Sequence, residues 1–307
     1  MRFGYAPWWG VEVSVPLFER VGGEPADVSR SKLRSLRRWL LLTIAFEAWF
    51  VIPYVPYSRA PGGYGLLAAA ITACAVLGWR DRFALSALAG AALLELALVF
   101  SAFPENANHQ FLALVLALLL LLVRRDADDF DPVDARTCLQ ATRWVVLIGI
   151  AWAGVMKLVY GGWLGGEFLS FRIALDPDFA QVFLPFVPAP EWQRLVGLEN
   201  QLGAGPFRAD APVLVALSNL TWLAELLLPV GLLFARTRRF AMVGAVSLLL
   251  VIQLGAGEIF FAGLMTGGLL LFAERDRLRS ALPVVALVYW VQLFADDWAV
   301  LGQVGAG

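Results

Sequence analysis

The sequence has 307 residues, a formal net charge of -1, 60% hydrophobic and 16% charged residues, and a mean hydropathy of +0.71. A water-soluble domain of this size does not need so many apolar residues, so the composition predicts an integral membrane protein. No stripe of basic and aromatic residues lies outside the loops, which argues against nucleic acid as a partner. The two cysteines, Cys74 and Cys138, are too few for a disulfide framework.

The first 29 residues lack the pattern of a cleaved signal peptide. Acidic residues interrupt their apolar character, and no basic region precedes a clean apolar stretch. We expect a cytoplasmic or interfacial segment at 1–29, with aromatic side chains such as Trp8 and Phe18 resting on the membrane surface. A disordered tail is the alternative. Residues 30–307 are predicted to form one transmembrane domain.

Apolar runs long enough to cross a bilayer recur along this domain. About 20 apolar helical residues span the hydrocarbon core. The apolar runs of about this length predict an all-α fold. It is a polytopic membrane helix bundle with about nine transmembrane helices. The predicted spans are 37–56, 64–79, 83–103, 109–123, 137–160, 212–235, 240–256, 259–273 and 281–294.

The basic residues give an independent indication of topology, because lysine and arginine concentrate in cytoplasmic loops. With a cytoplasmic N-terminus, the nine spans assign sixteen basic residues to inner segments and four to outer segments. The pattern therefore predicts the N-terminus in the cytoplasm and the C-terminus outside. We expect a multi-pass protein of the inner (plasma) membrane of a bacterium or archaeon.

The longest predicted outer segment is 161–211. It contains Pro185, Pro188, Pro190 and Pro206 among many aromatic residues. It is therefore too apolar for a solvated linker and too interrupted for a long helix. We predict that this segment forms an interfacial cap on the outer side.

Ionisable side chains inside the predicted spans are functional hypotheses, because a lysine at the centre of a span costs about 2.5 to 3.5 kcal/mol. Arg143 lies near the inner end of its span, from which it can snorkel to the headgroups. The glutamates nearer mid-membrane are expected to make polar contacts between helices. The set comprises Glu47, Glu95, His109, Arg143, Lys157, Glu225 and Glu258.

Lys157, one of two lysines in the chain, and His109, its only histidine, are predicted at the same outer-leaflet depth. His109 begins the fourth span on the outer side, and Lys157 precedes the outer end of the fifth by about one turn. Consecutive spans joined by a short loop usually pack together. An amine buried under an apolar cap would favour its neutral form and act as a base. Alternatively, Lys157 snorkels outward and His109 caps its own helix.

AGVMKL at 153–158 is followed by GGWLGGE at 161–167, so that an alanine-glycine stretch ends in a lysine and precedes tryptophan and glycine. This arrangement resembles a motif of vitamin K-dependent gamma-carboxylase and the wider horizontally transferred transmembrane (HTTM) domain family. NHQFLALVLALL at 108–119 is similar to the Asn-His segment that opens a membrane helix of the family. AELLLPVGLLFARTRR at 224–239 and QLGAGEIFFAGLM at 253–265 resemble two later segments in the same order.

The resemblance implies that Lys157 deprotonates vitamin K hydroquinone and that His109 is a second catalytic residue. It implies reduced vitamin K or another quinol as cofactor, with O2 and CO2 as reactants if the chemistry is carboxylase-like, and no metal. Where the carboxylase has a histidine followed by an asparagine, this chain has Gln253 and Ala256. The predicted substrate-binding residues are Asn108, Trp152, Trp163, Asn219, Glu225 and Gln253.

Two functions of different classes follow from these observations. The first is a quinol-dependent oxidoreductase or carboxylase-like enzyme, a quinol epoxidase-type lyase, with a lysine base and a histidine at the outer leaflet. The second is a non-catalytic module that binds lipid or quinone and supports maturation or export of a partner, such as a small secreted peptide or a soluble protein. A solute transporter has the least support, because no inverted repeat is visible. Membrane lipid is an expected partner in every case.

Overall fold

The fold is helical throughout the residues that the computed structural model describes, which are 26–51, 61–80, 83–102, 108–122, 132–175, 177–197, 207–256 and 259–273. No strand occurs in these ranges, so the predicted all-α class is confirmed. A 3-10 turn at Leu270–Phe272 follows the last helix. The helices are α1 (Ala26–Val51), α2 (Pro61–Gly78), α3 (Ala84–Ala102), α4 (Asn108–Leu122), α5 (Pro132–Tyr160), α6 (Glu167–Leu175), α7 (Pro177–Phe183), α8 (Ala189–Val196), α9 (Pro212–Leu233), α10 (Arg238–Ala256) and α11 (Ile259–Leu269).

Helices occupy the first eight predicted spans, whereas the ninth, at 281–294, lies outside the described residues. The largest difference is the start of α1, which begins at Ala26 instead of residue 37. Its first turns alternate buried Leu33 and Leu36 with exposed Arg34, so they are amphipathic. They are therefore not part of the long apolar run from which the span was predicted. The rest of the predicted N-terminal segment, through residue 25, is also outside the described residues.

Length and apolarity distinguish two of the helices. Among the described residues, Ala135–Tyr160 within α5 and Pro212–Leu233 are long and apolar enough to cross a membrane. The stretches Gly65–Gly78, Ala84–Ala97, Gln110–Leu122 and Phe260–Phe272 are apolar but shorter. The bundle of about nine transmembrane helices therefore stays a prediction.

Helix α1 lies at the centre of the bundle, where it packs against α2, α3, α4, α5 and α11. One apolar core joins α1 to α2, α3 and α4 through residues such as Leu40, Ile71 and Leu116. A second core joins α5, α9, α10 and α11 through residues such as Val146 and Leu232. The two cores meet along α1, so this helix connects the two halves of the protein.

The contact between α1 and α11 depends on small residues. The Trp39 indole donates a hydrogen bond to the Gly263 carbonyl at 2.8 Å. A Cβ atom added at Gly267 would overlap the Trp39 ring, and one added at Gly268 would overlap Val146. Glycine at these positions is therefore required for the close approach of α11.

Gly267→Ala is expected to lower the free energy of unfolding by about 2 kcal/mol, because the added methyl group overpacks the seam with Trp39. Thermal unfolding of the purified variant would measure the change. Gly65→Ala is the control, because nothing lies within 4 Å of its added Cβ. An unchanged melting temperature for Gly267→Ala would contradict this account of the seam.

Two buried cations bind one carbonyl at the end of α11. Lys32 Nζ donates to the Leu271 carbonyl oxygen at 3.1 Å, and Arg143 donates to it from Nε at 3.2 Å and from Nη2 at 2.7 Å. The Arg143 guanidinium also lies over the Phe272 ring. Cations stabilise the negative end of a helix dipole, so Arg143 is held inside the bundle and does not snorkel as predicted.

The described residues of the predicted cap, 161–175, 177–197 and 207–211, contain three short helices, α6, α7 and α8. Its small core includes Leu169, Ile173, Phe179 and Leu195 and continues onto Leu214 at the start of α9. The prolines divide the segment into short helices, as expected. The cap therefore packs against the first turn of α9, the helix that follows it in the chain.

An ion pair holds the last cap helix to the segment before α9. Arg194 donates to Glu191 Oε2 at 2.7 Å and to Oε1 at 2.8 Å, and the Asp210 backbone N–H donates to the same carboxylate at 2.8 Å. The hydrogen bonds from Arg194 lower the pKa of Glu191 below its ordinary value of 4.5. The carboxylate therefore stabilises the folded cap only while it is ionised.

Because the pKa of Glu191 is lowered by folding, its contribution is complete above the unfolded-state pKa and is lost as the pH falls through the folded-state pKa. We expect the wild-type melting temperature to fall more steeply below pH 4.5 than that of Glu191→Gln. Gln193→Ala, at an exposed neighbour, should keep the wild-type pH dependence. Parallel curves for wild type and Glu191→Gln in a thermal-unfolding series would exclude this role.

Candidate functional site

The most distinctive polar contact in the described bundle joins α5 to α9. Lys157 Nζ lies 2.6 Å from Glu225 Oε1 and 2.7 Å from Glu225 Oε2. The Lys157 side chain is 18% exposed and that of Glu225 is 4% exposed. Both oxygens of a buried carboxylate are thus bound by a single ammonium group at the rim of an apolar bundle. We call this contact the Lys157–Glu225 pair.

Gly154 allows the two helices to approach closely enough for the pair to form. A Cβ atom at this position would lie 3.0 Å from the Trp222 carbonyl oxygen and 3.1 Å from Glu225 Cβ. These distances are shorter than ordinary carbon contacts of 3.5 to 4.0 Å. The absence of a side chain one turn before Lys157 therefore sets the spacing between α5 and α9.

A glycine-rich turn after α5 covers the pair with an aromatic ring. Gly161 and Gly166 have φ angles of +75° and +78°, in the region that glycine adopts readily. Between them, Trp163 presents its face to Lys157 Nζ at 4.8 Å from the ring centroid, within the range of a cation–π interaction. Phe168 stacks on Trp163 with centroids 4.4 Å apart. The turn therefore also contacts the ammonium group.

Asn219 fastens this turn to α9. Its Nδ2 donates to the Leu164 carbonyl oxygen at 2.9 Å and to the Val215 carbonyl oxygen at 2.8 Å, while its Oδ1 accepts from Trp222 Nε1 at 2.9 Å. Every polar atom of the Asn219 amide group therefore has a partner. Its role in the structure is to position the Trp163 turn.

The space behind the Lys157–Glu225 pair is small. A cavity of about 10 Å³ is lined by Glu225 and by apolar residues such as Ile150, Leu249 and Phe261. This volume is close to the minimum for one water molecule. This cavity is therefore too small for an organic ligand.

The structure brings four of the predicted site residues together and separates others. Lys157, Glu225, Trp163 and Asn219 form one connected site, although the sequence did not predict that Glu225 pairs with Lys157. Trp152, also on α5, is 60% exposed on the outer surface and makes no part of this site.

The other three predicted site residues lie on α10 and α4. Gln253 is fully buried on α10. Asn108 and His109 form the first turn of α4, which packs against α5 as predicted, but their side chains lie outside the described residues. The proximity of His109 to Lys157 stays a prediction.

A second polar cluster joins α1, α3 and α4. Glu47 and Glu95 lie close enough to interact electrostatically, and Gln110 lies within hydrogen-bonding reach of Glu47. All three side chains are at most 4% exposed. The predicted interhelical contacts of Glu47 and Glu95 are therefore present, whereas Gln110, an uncharged residue beside His109, was missed.

Comparison of the chain with protein-family models, curated proteins and solved structures found no match. The geometry of the Lys157–Glu225 pair and the segment resemblance therefore carry the functional proposal below.

Proposed function

We propose that the chain is a multi-pass integral membrane protein with about nine spans, a cytoplasmic N-terminus and its cap on the outer side. The exposure of its most apolar helices supports this proposal. Only 33% of the residues in the most apolar stretch of α5 and 22% of those in α9 are buried. A long apolar helix with few fully buried residues is suited to lipid, whereas in water it would expose apolar surface.

Cysteine accessibility would test this topology, because α9 is proposed to cross the membrane between the outer cap and the cytoplasmic start of α10. Single cysteines would replace Gln193 in the cap and Arg239 at the start of α10, both exposed, in a background without Cys74 and Cys138. A membrane-impermeant maleimide applied to intact cells should label position 193 and should label position 239 only after permeabilisation. Equal labelling of both positions in intact cells would reject the proposal.

We propose further that the Lys157–Glu225 pair is the acid–base centre of a quinol-dependent enzyme of the HTTM type. The observation that carries this proposal is an amine held between a buried carboxylate, at 2.6 and 2.7 Å, and the face of Trp163. Its position in the AGVMKL segment adds the resemblance to the lysine base of the carboxylase. Ion pairs with no catalytic role also occur in membrane bundles, so the activity of variants decides between the two roles.

The pair suggests how Lys157 could work as a base. An ammonium in contact with a carboxylate is not a proton acceptor until it transfers a proton. Glu225 can accept that proton across the 2.6 Å hydrogen bond, which leaves a neutral amine at Lys157 Nζ. The amine can then take a proton from a hydroxyl group that approaches on the exposed side of the site. Glu225 thereby acts as a proton store, a role that the sequence did not indicate.

The proposed position of a reduced quinone is at the partly exposed side chain of Lys157. The cavity behind Glu225, about 10 Å³, does not admit an aromatic ring, whereas the Trp163 ring lies over Lys157 Nζ and the next residue, Leu164, is exposed. When bound there, a quinol would supply the acidic hydroxyl group and the electrons that reduce O2. Trp163 and the apolar side chains around it would orient a flat ring and exclude water from Nζ.

Quinol epoxidation by the purified protein would test the proposal. Lys157→Ala is expected to reduce the rate by about a hundredfold or more, in line with the contribution of a general base. Glu225→Gln should also reduce the rate, because an amide cannot store the proton. Arg208→Ala, at an exposed cap position, is the control. Equal activity of wild type and Lys157→Ala would end the catalytic assignment.

A second candidate is a non-catalytic membrane module that binds lipid or quinone and helps a secreted peptide or soluble partner mature. The small cavity and the mutual neutralisation of Lys157 and Glu225 favour this candidate. It predicts that Lys157→Met combined with Glu225→Met keeps the biological function, because the pair would only hold α5 against α9. Loss of function in this folded double variant would favour the enzyme.

A further inference from the structure

A groove of about 510 Å³ lies between α1 and α2, in the half of the bundle that does not contain the Lys157–Glu225 pair. Phe46 and Trp49 line its α1 wall, and Val76 and Trp79 line its α2 wall. Residues three, four and seven positions apart share one face of a helix, so each wall is a continuous stripe. Val76 is 68% exposed, which indicates that the groove is open along its side.

At one end of the groove, the polar side-chain groups of the described lining residues bind within the protein. Trp49 Nε1 donates to Thr72 Oγ1 at 2.8 Å, and this hydroxyl donates to the Ala68 carbonyl oxygen at 2.8 Å. The hydrogen bond between Trp49 and Thr72 also fixes the antiparallel register of α1 and α2, with Trp49 opposite Thr72. The far end of the groove is therefore suited to hydrocarbon.

The other end carries positive charge. Arg80 is exposed at the mouth, and no hydrogen bond or ion pair of its guanidinium occurs with the described part of the chain. Arg38 contacts the preceding residue, with its guanidinium 5.4 Å from the centroid of the Trp79 ring and 3.4 Å from the Trp79 carbonyl oxygen. Two guanidinium groups thus adjoin one end of an otherwise apolar groove.

We propose that this groove binds an anionic phospholipid, with an acyl chain along the apolar walls and the phosphate at Arg80 and Arg38. Guanidinium groups bind phosphate oxygens with directed, charge-assisted hydrogen bonds. A soluble anion would use the arginines but not the groove, and a neutral amphiphile would use the groove but not the arginines. The combination selects a ligand that has both parts.

The dimensions of the groove suit one lipid chain. From Leu42 to Trp49 the α1 wall rises about 10 Å, which is roughly two thirds of one leaflet of a 30 Å hydrocarbon core. In the proposed topology the arginine end faces the cytoplasm, where anionic lipids bind basic sites near helix ends. The proposal shares only the membrane location with the proposed enzyme and does not depend on its chemistry.

Native mass spectrometry of the purified full chain in a neutral detergent would test the site. Phosphatidylglycerol and phosphatidylcholine with identical acyl chains are added at matched concentrations. Arg80→Ala should weaken phosphatidylglycerol binding about fivefold, the effect of one basic residue near a membrane surface. Val76→Trp should also weaken it, because the larger side chain fills the groove. The matched controls are Arg239→Ala and Leu77→Trp, at exposed positions outside the groove.

The proposal expects wild-type binding by both controls and a preference of the wild type for phosphatidylglycerol. Equal binding of the two lipids, or wild-type affinity in Arg80→Ala, would overturn it. An equal loss in Arg80→Ala and Arg239→Ala would also overturn it, because binding would then reflect total charge. Loss in Val76→Trp alone would assign the groove to a neutral amphiphile. Circular dichroism of each variant verifies that the helices are intact.

Discussion

Glu225→Ala is expected to lower the free energy of unfolding by about 3 kcal/mol, at the lower end of the range for breaking a buried ion pair. The substitution leaves the Lys157 ammonium in apolar surroundings without its 2.6 and 2.7 Å contacts, and only the Trp163 face remains. The lower end applies because Lys157 is 18% exposed and retains some contact with its surroundings outside the protein. Thermal unfolding in detergent would measure the effect.

A double substitution separates the loss of the pair from the cost of an isolated charge. Lys157→Met combined with Glu225→Met should recover most of the stability lost in Glu225→Ala, because two apolar side chains of similar length can fill the same space. Glu225→Gln should fall between wild type and Glu225→Ala. If Glu225→Ala unfolds at the wild-type temperature, the pair contributes nothing to the α5–α9 contact.

The second large effect is expected at Gly154. Gly154→Leu would insert a side chain where even a Cβ atom lies 3.0 Å from the Trp222 carbonyl oxygen, and so would force α9 away from α5. We expect a loss of about 3 kcal/mol or more, and a loss of any activity that depends on the Lys157–Glu225 pair.

Gly149→Ala is the matched control, since it lies on the same helix and its added Cβ would meet only Met265 Cε at 3.6 Å. That substitution should be neutral or stabilising, because alanine is favoured over glycine inside a helix by about 1 kcal/mol. Thermal unfolding of both variants gives the comparison. Equal stability of Gly154→Leu and Gly149→Ala would mean that Gly154 does not control the helix spacing.

Helix positions could be predicted from the sequence because apolar runs and their interruptions are local signals. The eight described spans coincide with helices, and the prolines of the cap divide it as expected. The start of α1 was not predicted, because an amphipathic turn does not belong to a long apolar run. Lys32, in this part of α1, binds the Leu271 carbonyl oxygen, which lies 239 residues away in the sequence. Nothing in the local pattern indicates such a contact.

The Lys157–Glu225 pair could not be predicted, because the two helices are offset along their axes. Gly154 on α5 lies beside Glu225 on α9. The last residue of α5, Tyr160, lies about 9 Å beyond Gly154, whereas the first residue of α9, Pro212, lies about 20 Å before Glu225. Helix α9 therefore extends beyond the end of α5 toward the cap. When the membrane depth of each residue is counted from the outer end of its own predicted span, Lys157 is predicted near the outer surface and Glu225 near the membrane centre. By contrast, Trp163 could be predicted near Lys157, since a short glycine-rich turn connects them.

The contact between α1 and α11 has a consequence for biosynthesis. Lys32 leaves the ribosome long before its acceptor at Leu271, and at about 5 to 20 residues per second the next 239 residues take roughly 10 to 50 s. During that time Lys32 lacks the Leu271 carbonyl and Trp39 lacks the Gly263 carbonyl that they bind in the folded protein. The nascent chain therefore spends most of its synthesis in a half-assembled state that chaperones and proteases can recognise.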